Sequence, residues 1–80
     1  MTIRIDTARL AVRIARRASE AFTVDNGFSW SEKGVLDSLP LETVHDYCRD
    51  ACWEVCEEVG LDFDEWGLEL TDEALNETGV

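Results

Sequence analysis

The sequence predicts a small, mainly helical protein folded as one domain over residues 1–80. Three observations predict it. Two stretches, residues 6–22 and 40–59, repeat apolar side chains at the helical period. The strongest helix boundaries are written in the chain, with Pro40 before the second stretch and Gly60 after it. No repeat, low-complexity run or linker interrupts the eighty residues, a length suited to a single core. An α+β arrangement is the runner-up, because a few short segments could extend.

Residues 2–5 alternate polar and apolar, as a short strand or a lead-in would. Asp6 or Thr7 can cap the helix that follows. There Leu10, Ala11, Ile14, Ala15, Ala18 and Phe22 share one face, while Arg9, Arg13, Arg16 and Arg17 share another. Beside a strongly acidic remainder, these arginines are expected to neutralise carboxylates, within the molecule or across a homodimer. Asn26-Gly27, between Val24 and Phe28, signals a turn, as a short hairpin or a plain loop. Ser29 and Glu32 have capping-box spacing for a short helix through Val35 and Leu36.

The principal helix carries Leu41, Val44, Cys48, Ala51, Cys52, Val55 and Val59 as its apolar stripe. Opposite lie Glu42, Asp46, Asp50, Glu54 and Glu57, with Glu58 at the border and Trp53 in their midst. Beyond Gly60, Asp62 and Glu65 suit a single capped turn bearing Phe63 and Trp66. Leu68 and Leu70 then alternate as an extended piece would, and Thr71 can cap a last short helix over residues 72–77.

The net charge of −11 is divided unevenly. Residues 1–40 hold six basic and five acidic residues; residues 41–80 hold one, Arg49, and thirteen. Such a balance disfavours direct nucleic-acid binding and anionic membrane surfaces, and favours a basic protein partner. Three cysteines, all on one helix, are not a disulfide framework, and no stretch reads as a secretory signal or membrane span; a cytoplasmic setting is expected.

Three constellations are candidates for chemistry. His45, Cys48, Cys52 and Cys56 have zinc-ligand types, but on one helix they spread over about 16 Å, too far for one tetrahedral ion. No metal site is expected, and Cys48 and Cys52 read as core residues. Asp37-Ser38-Leu39 resembles the triplet of acyl carrier proteins, which are acidic four-helix domains. That resemblance implies a phosphopantetheine arm on Ser38; otherwise Ser38 is a cap or turn residue.

The third is the carboxylate row. Glu42, Asp46, Asp50 and Glu54 recur every four residues, about 6 Å of rise. Neighbouring phosphates of a nucleic-acid strand stand roughly 6–7 Å apart. Glu57, Asp62, Asp64 and Glu65 extend the row, and Glu69, Asp72, Glu73 and Glu77 lie beyond. Trp53 is either covered by Phe63 and Trp66 or left as a partner's anchor.

In size, charge and lack of an enzyme motif, the chain resembles the small acidic inhibitors that phages encode against bacterial defence, notably anti-CRISPR and anti-restriction proteins. Several of those mimic nucleic acid. The resemblance implies a non-catalytic inhibitor without cofactor, acting in the bacterial cytosol on the DNA-binding groove of a CRISPR effector or restriction complex. Its contact residues would be Glu42, Asp46, Asp50, Trp53, Glu54, Glu57, Asp62, Asp64 and Glu65. The rival classes are the carrier protein modified at Ser38 and an acidic adaptor or antitoxin for some other basic protein.

Overall fold

A computed structural model describes residues 6–79. These form four helices: α1 (Thr7–Asn26), α2 (Val35–Ser38), α3 (Leu41–Val59) and α4 (Phe63–Thr78). There is no strand among the described residues, so the fold is mainly helical as the periodicity predicts. Residues 2–5 lie outside the described residues.

Asp6 opens α1 by accepting the Arg9 backbone N–H on Oδ1 at 3.1 Å. The helix runs four residues past Phe22, and the expected turn or hairpin is a helix terminus instead. Gly27 adopts φ 79° and donates its N–H to the Thr23 carbonyl at 2.8 Å. Asn26 Nδ2 bonds back to the Phe22 carbonyl at 2.9 Å. A glycine at positive φ serves a left-handed helix cap as well as a hairpin turn, so Asn-Gly alone does not separate them. Packing separates them here. Phe22 is buried against Trp30 (5.3 Å, stacked) and edge-on to Phe28 and Tyr47 (both 5.5 Å), which draws residues 28–30 back over the end of α1. The Ser29–Glu32 capping box does not form; Ser29 Oγ accepts the Ser31 N–H and α2 starts only after Gly34.

Pro40 stands as N-cap of α3, its carbonyl accepting from Thr43 and Val44. Gly60 (φ 78°) and the Leu61 N–H to Cys56 carbonyl bond, 2.9 Å, close the helix. The apolar stripe is buried in its middle only. Val44, Cys48, Ala51, Cys52 and Val55 are buried together with Cys56, while Leu41 and Val59 stay exposed at the ends.

The segment after Gly60 departs most from expectation. It is one helix, α4, without an extended Leu68–Leu70 piece or a fresh start at Thr71. Asp62 caps it, Oδ1 accepting the Asp64 N–H at 3.0 Å. Gly67, Leu70, Thr71 and Ala74 form its buried face. A glycine inside a helix costs about 1 kcal/mol relative to alanine. Gly67 has a packing reason: a Cβ there would lie 2.9 Å from the Phe63 ring.

The long helices α1, α3 and α4 pack each against the other two. Three linking residues, 60–62, make α3 and α4 antiparallel. Arg13 and Arg17 reach Glu58 while Phe22 and Asp25 meet Tyr47, so α1 and α3 are antiparallel too. The resulting three-helix bundle measures 45 × 20 × 17 Å. Its core joins Ile14, Ala18 and Phe22 to Val44, Cys48, Cys52, Val55 and Cys56, and to Leu70 and Ala74. No helix among the described residues is long and apolar enough to cross a membrane.

Candidate functional site

Burying Val44, Cys48, Ala51, Cys52 and Val55 between α1 and α4 turns the opposite side of α3 to solvent. Glu42, Asp46, Asp50, Glu54 and Glu57 are all exposed there. Trp53 stands among them with 52% of its surface accessible. The alternative in which Phe63 and Trp66 fold over it is not what forms. Both rings sit half-buried on α4 and pack against the core, on the other side of α3.

Asp62, Asp64 and Glu65 are exposed as well, but they do not continue the α3 row. Asp62 caps α4 and Asp64 and Glu65 lie in its first turn, just beyond Glu57 at the same end of the bundle. Their charges complement the unpaired N–H groups at that helix terminus, a structural task independent of any partner. Because α4 is continuous, Glu65, Glu69 and Asp72 make a second exposed acidic row on it.

Among the described residues, the guanidinium–carboxylate bridges all converge on Glu58. Arg13 donates to Oε1 at 2.5 Å and Arg17 to Oε2. The hydrogen bond from Arg17 holds the Glu58 carboxyl below its ordinary range, assisted by both positive charges. The Glu58 bond likewise raises the Arg17 guanidinium, with smaller pulls from Glu54 and Glu20. The expected compensation is thus made by Arg13 and Arg17, while Arg9 and Arg16 are exposed on the outer side of α1. On the acidic face, His45 Nδ1 lies 3.9 Å from Asp46 Oδ1.

The histidine and cysteines do not assemble. Cys48, Cys52 and Cys56 are buried thiols, and His45 sits half-exposed at the edge of the face. No three His, Cys, Asp or Glu side chains converge as metal ligands among the described residues. Burial pushes the Cys48 and Cys56 thiols up to about 11, and the charge of Cys52 adds to both. Ser38 is exposed at the end of the one-turn helix α2, its Oγ donating to the Gly34 carbonyl at 2.9 Å. In the carrier-protein pattern such a serine would open a long helix; here α3 begins three residues later.

Sequence reasoning missed one feature. A groove of about 350 Å³ runs between α3 and α4, lined by His45, Arg49, Phe63, Asp64, Leu68 and Thr71, with Gly67 at its floor. It contains the only histidine of the chain and the only basic residue after Lys33, four positions apart on α3. That spacing was visible; the neighbouring wall from α4 was not.

Fold and site together define a small, mainly helical bundle with a solvent-facing acidic side that carries the exposed ring of Trp53. Compared with protein-family models, curated proteins and solved structures, the chain matches none.

Proposed function

We propose that the protein is a non-catalytic inhibitor that offers the outer side of α3 to a cationic, nucleic-acid-binding groove, of the kind found in bacterial defence complexes. One observation carries this reading. Five carboxylates, Glu42, Asp46, Asp50, Glu54 and Glu57, stand exposed around an exposed Trp53, and among the described residues the guanidinium bridges go elsewhere, to Glu58. Like charges held this close repel one another, a cost that a cationic partner would relieve. Arginines of the target would form charge-assisted pairs with the row. Trp53 would fill an apolar site between them. DNA would then be excluded by competition for the same surface, with association that is fast and weakened by salt.

The test is displacement of DNA from a candidate effector. The native protein should release bound duplex, and the triple reversal Asp46→Lys, Asp50→Lys and Glu54→Lys should not. Equal displacement by both proteins would reject mimicry through α3. Stable binding of a basic protein whose nucleic-acid contacts stay intact would support the adaptor class instead.

A further inference from the structure

We propose that the groove between α3 and α4, with an exposed apolar side chain on each wall, receives a cationic amphipathic helix of the target protein. This rests on the reading that the acidic side of α3 meets a cationic partner, and adds the shape and residue pattern of that partner. In the bundle, α1 packs on both α3 and α4 and so covers one of the two grooves between them. The other is open, and its walls come from α3 and α4 alone. A helix laid along it would turn three packed helices into four. Its floor is apolar, the Phe63 ring lying against Gly67.

Two side chains stand over that floor. Leu68 lines the α4 wall and is 83% exposed. Trp53, 52% exposed, is one turn beyond Arg49, which lines the α3 wall. Cys52 Sγ lies 3.8 Å from the Gly67 carbonyl, so the residues that follow them, Trp53 and Leu68, stand at one level on facing helices. Single exposed apolar residues are ordinary on a surface, but two at one level across an apolar groove can hold a partner's side chain between them. The surrounding charges select the occupant. Asp50 and Glu57 stand about one turn to either side of Trp53, as Asp64 and Asp72 do of Leu68, and all four are exposed. Arg49 shares the groove with Asp64, which offsets it, and among the described residues the guanidinium bridges go to Glu58 instead. The complement is a helix with a large apolar residue and arginine or lysine one turn before and after it. An acidic helix would meet like charge, and a neutral one would leave the four carboxylates without partners.

The experiment is an amide-resolved NMR titration of the full chain with an alanine-based helical peptide. It carries a central leucine and arginines three and four residues to either side. The control peptide exchanges that leucine with the alanine two places on, which turns it about 200° around the helix at unchanged charge. The first peptide should give saturable shifts at Arg49, Trp53, Gly67 and Leu68, with a dissociation constant of about 100 μM or tighter in about 0.1 M salt. The control should bind at least about tenfold more weakly. Leu68→Ala should weaken the first peptide about tenfold, leave the control unchanged and not lower the thermal midpoint, because the side chain it removes is exposed. Val24→Ala, at a side chain 84% exposed but on α1, should change neither peptide. Equal affinity for the two peptides, unchanged affinity in Leu68→Ala, or shifts confined to the outer side of α3 would each overturn the proposal. DNA displacement separates it from the inhibitor reading. A Leu68-dependent peptide site in a protein that releases no DNA would uphold the helix site and reject the inhibitor. Release of DNA, equal in Leu68→Ala and without preference between the peptides, would reject the helix site and leave the inhibitor standing.

Discussion

Trp53 is the residue whose role the bundle leaves to a partner. Half its surface is in water, and it stands outside the buried core cluster. Replacing it by alanine removes little packing and slightly favours the helix, so stability should change by less than about 0.5 kcal/mol in a urea melt. If the ring anchors a target, the same change should weaken binding by about 2 kcal/mol, roughly thirtyfold, in the displacement assay. The cysteines are the opposite case. All three are buried, and with the Cys48 and Cys56 thiols up at about 11, only roughly one part in a thousand of either is thiolate at about pH 8. A thiol reagent should therefore leave the native protein unmodified over the time in which it titrates all three in denaturant. Prompt labelling of the folded chain would contradict their placement in the core.

At the scale of elements, α1 and α3 were legible in the sequence because each carries one continuous apolar stripe at the period of 3.6, even where, as at Leu41 and Val59, its ends stay exposed. Their ends were legible where glycine or proline has a single role, at Pro40 and Gly60, and misleading at Asn26-Gly27, where positive φ serves two structures. α4 was illegible because Gly67 interrupts its apolar face for the sake of Phe63, and because Leu68 and Leu70 imitate a strand while one is exposed and the other buried. The acidic side of α3 could be read from spacing alone. The exposure of Trp53 and the groove at Arg49 could not, since both depend on where α4 lies. The end of α1 offers a direct check. Phe22→Ala removes the centre of the Phe28, Trp30 and Tyr47 cluster and should cost about 3–5 kcal/mol by denaturant melt. That is a large share of the roughly 4–12 kcal/mol expected for eighty residues at about 0.05–0.15 each. The α1–α3 contact at Glu58 should show in the pH dependence. Its carboxyl is held below the ordinary value of 4.5, so its contribution is present above that value and lost as pH falls through the lowered one. Glu58→Gln should therefore be the less stable protein near about pH 7, by a modest margin befitting a surface bridge, and should converge with the native chain as pH falls through the lowered value. A constant difference across that range would mean the bridge is not its source.

For the whole molecule, the deciding quantity is the imbalance of eighteen acidic against seven basic side chains. The acids of α3 follow one another at about 6 Å of rise, well inside the Debye length of about 10 Å at 0.1 M salt and outside that of about 3 Å at 1 M. Raising salt therefore removes most of their mutual repulsion, while the close Arg13–Glu58–Arg17 contact is screened less. The thermal midpoint should rise with sodium chloride, even though the same salt weakens association with a cationic target. The triple reversal Asp46→Lys, Asp50→Lys and Glu54→Lys changes the charge by two at each site and takes the chain from −11 to −5. It should melt higher than the native protein at low salt, show a flatter salt response, and fail to displace DNA. Stability and binding moving in opposite directions on the same three substitutions would place the cost of the acidic side in the isolated protein and its use in the complex. A midpoint that falls with salt, or a reversal that destabilises the bundle, would mean that these carboxylates serve the fold.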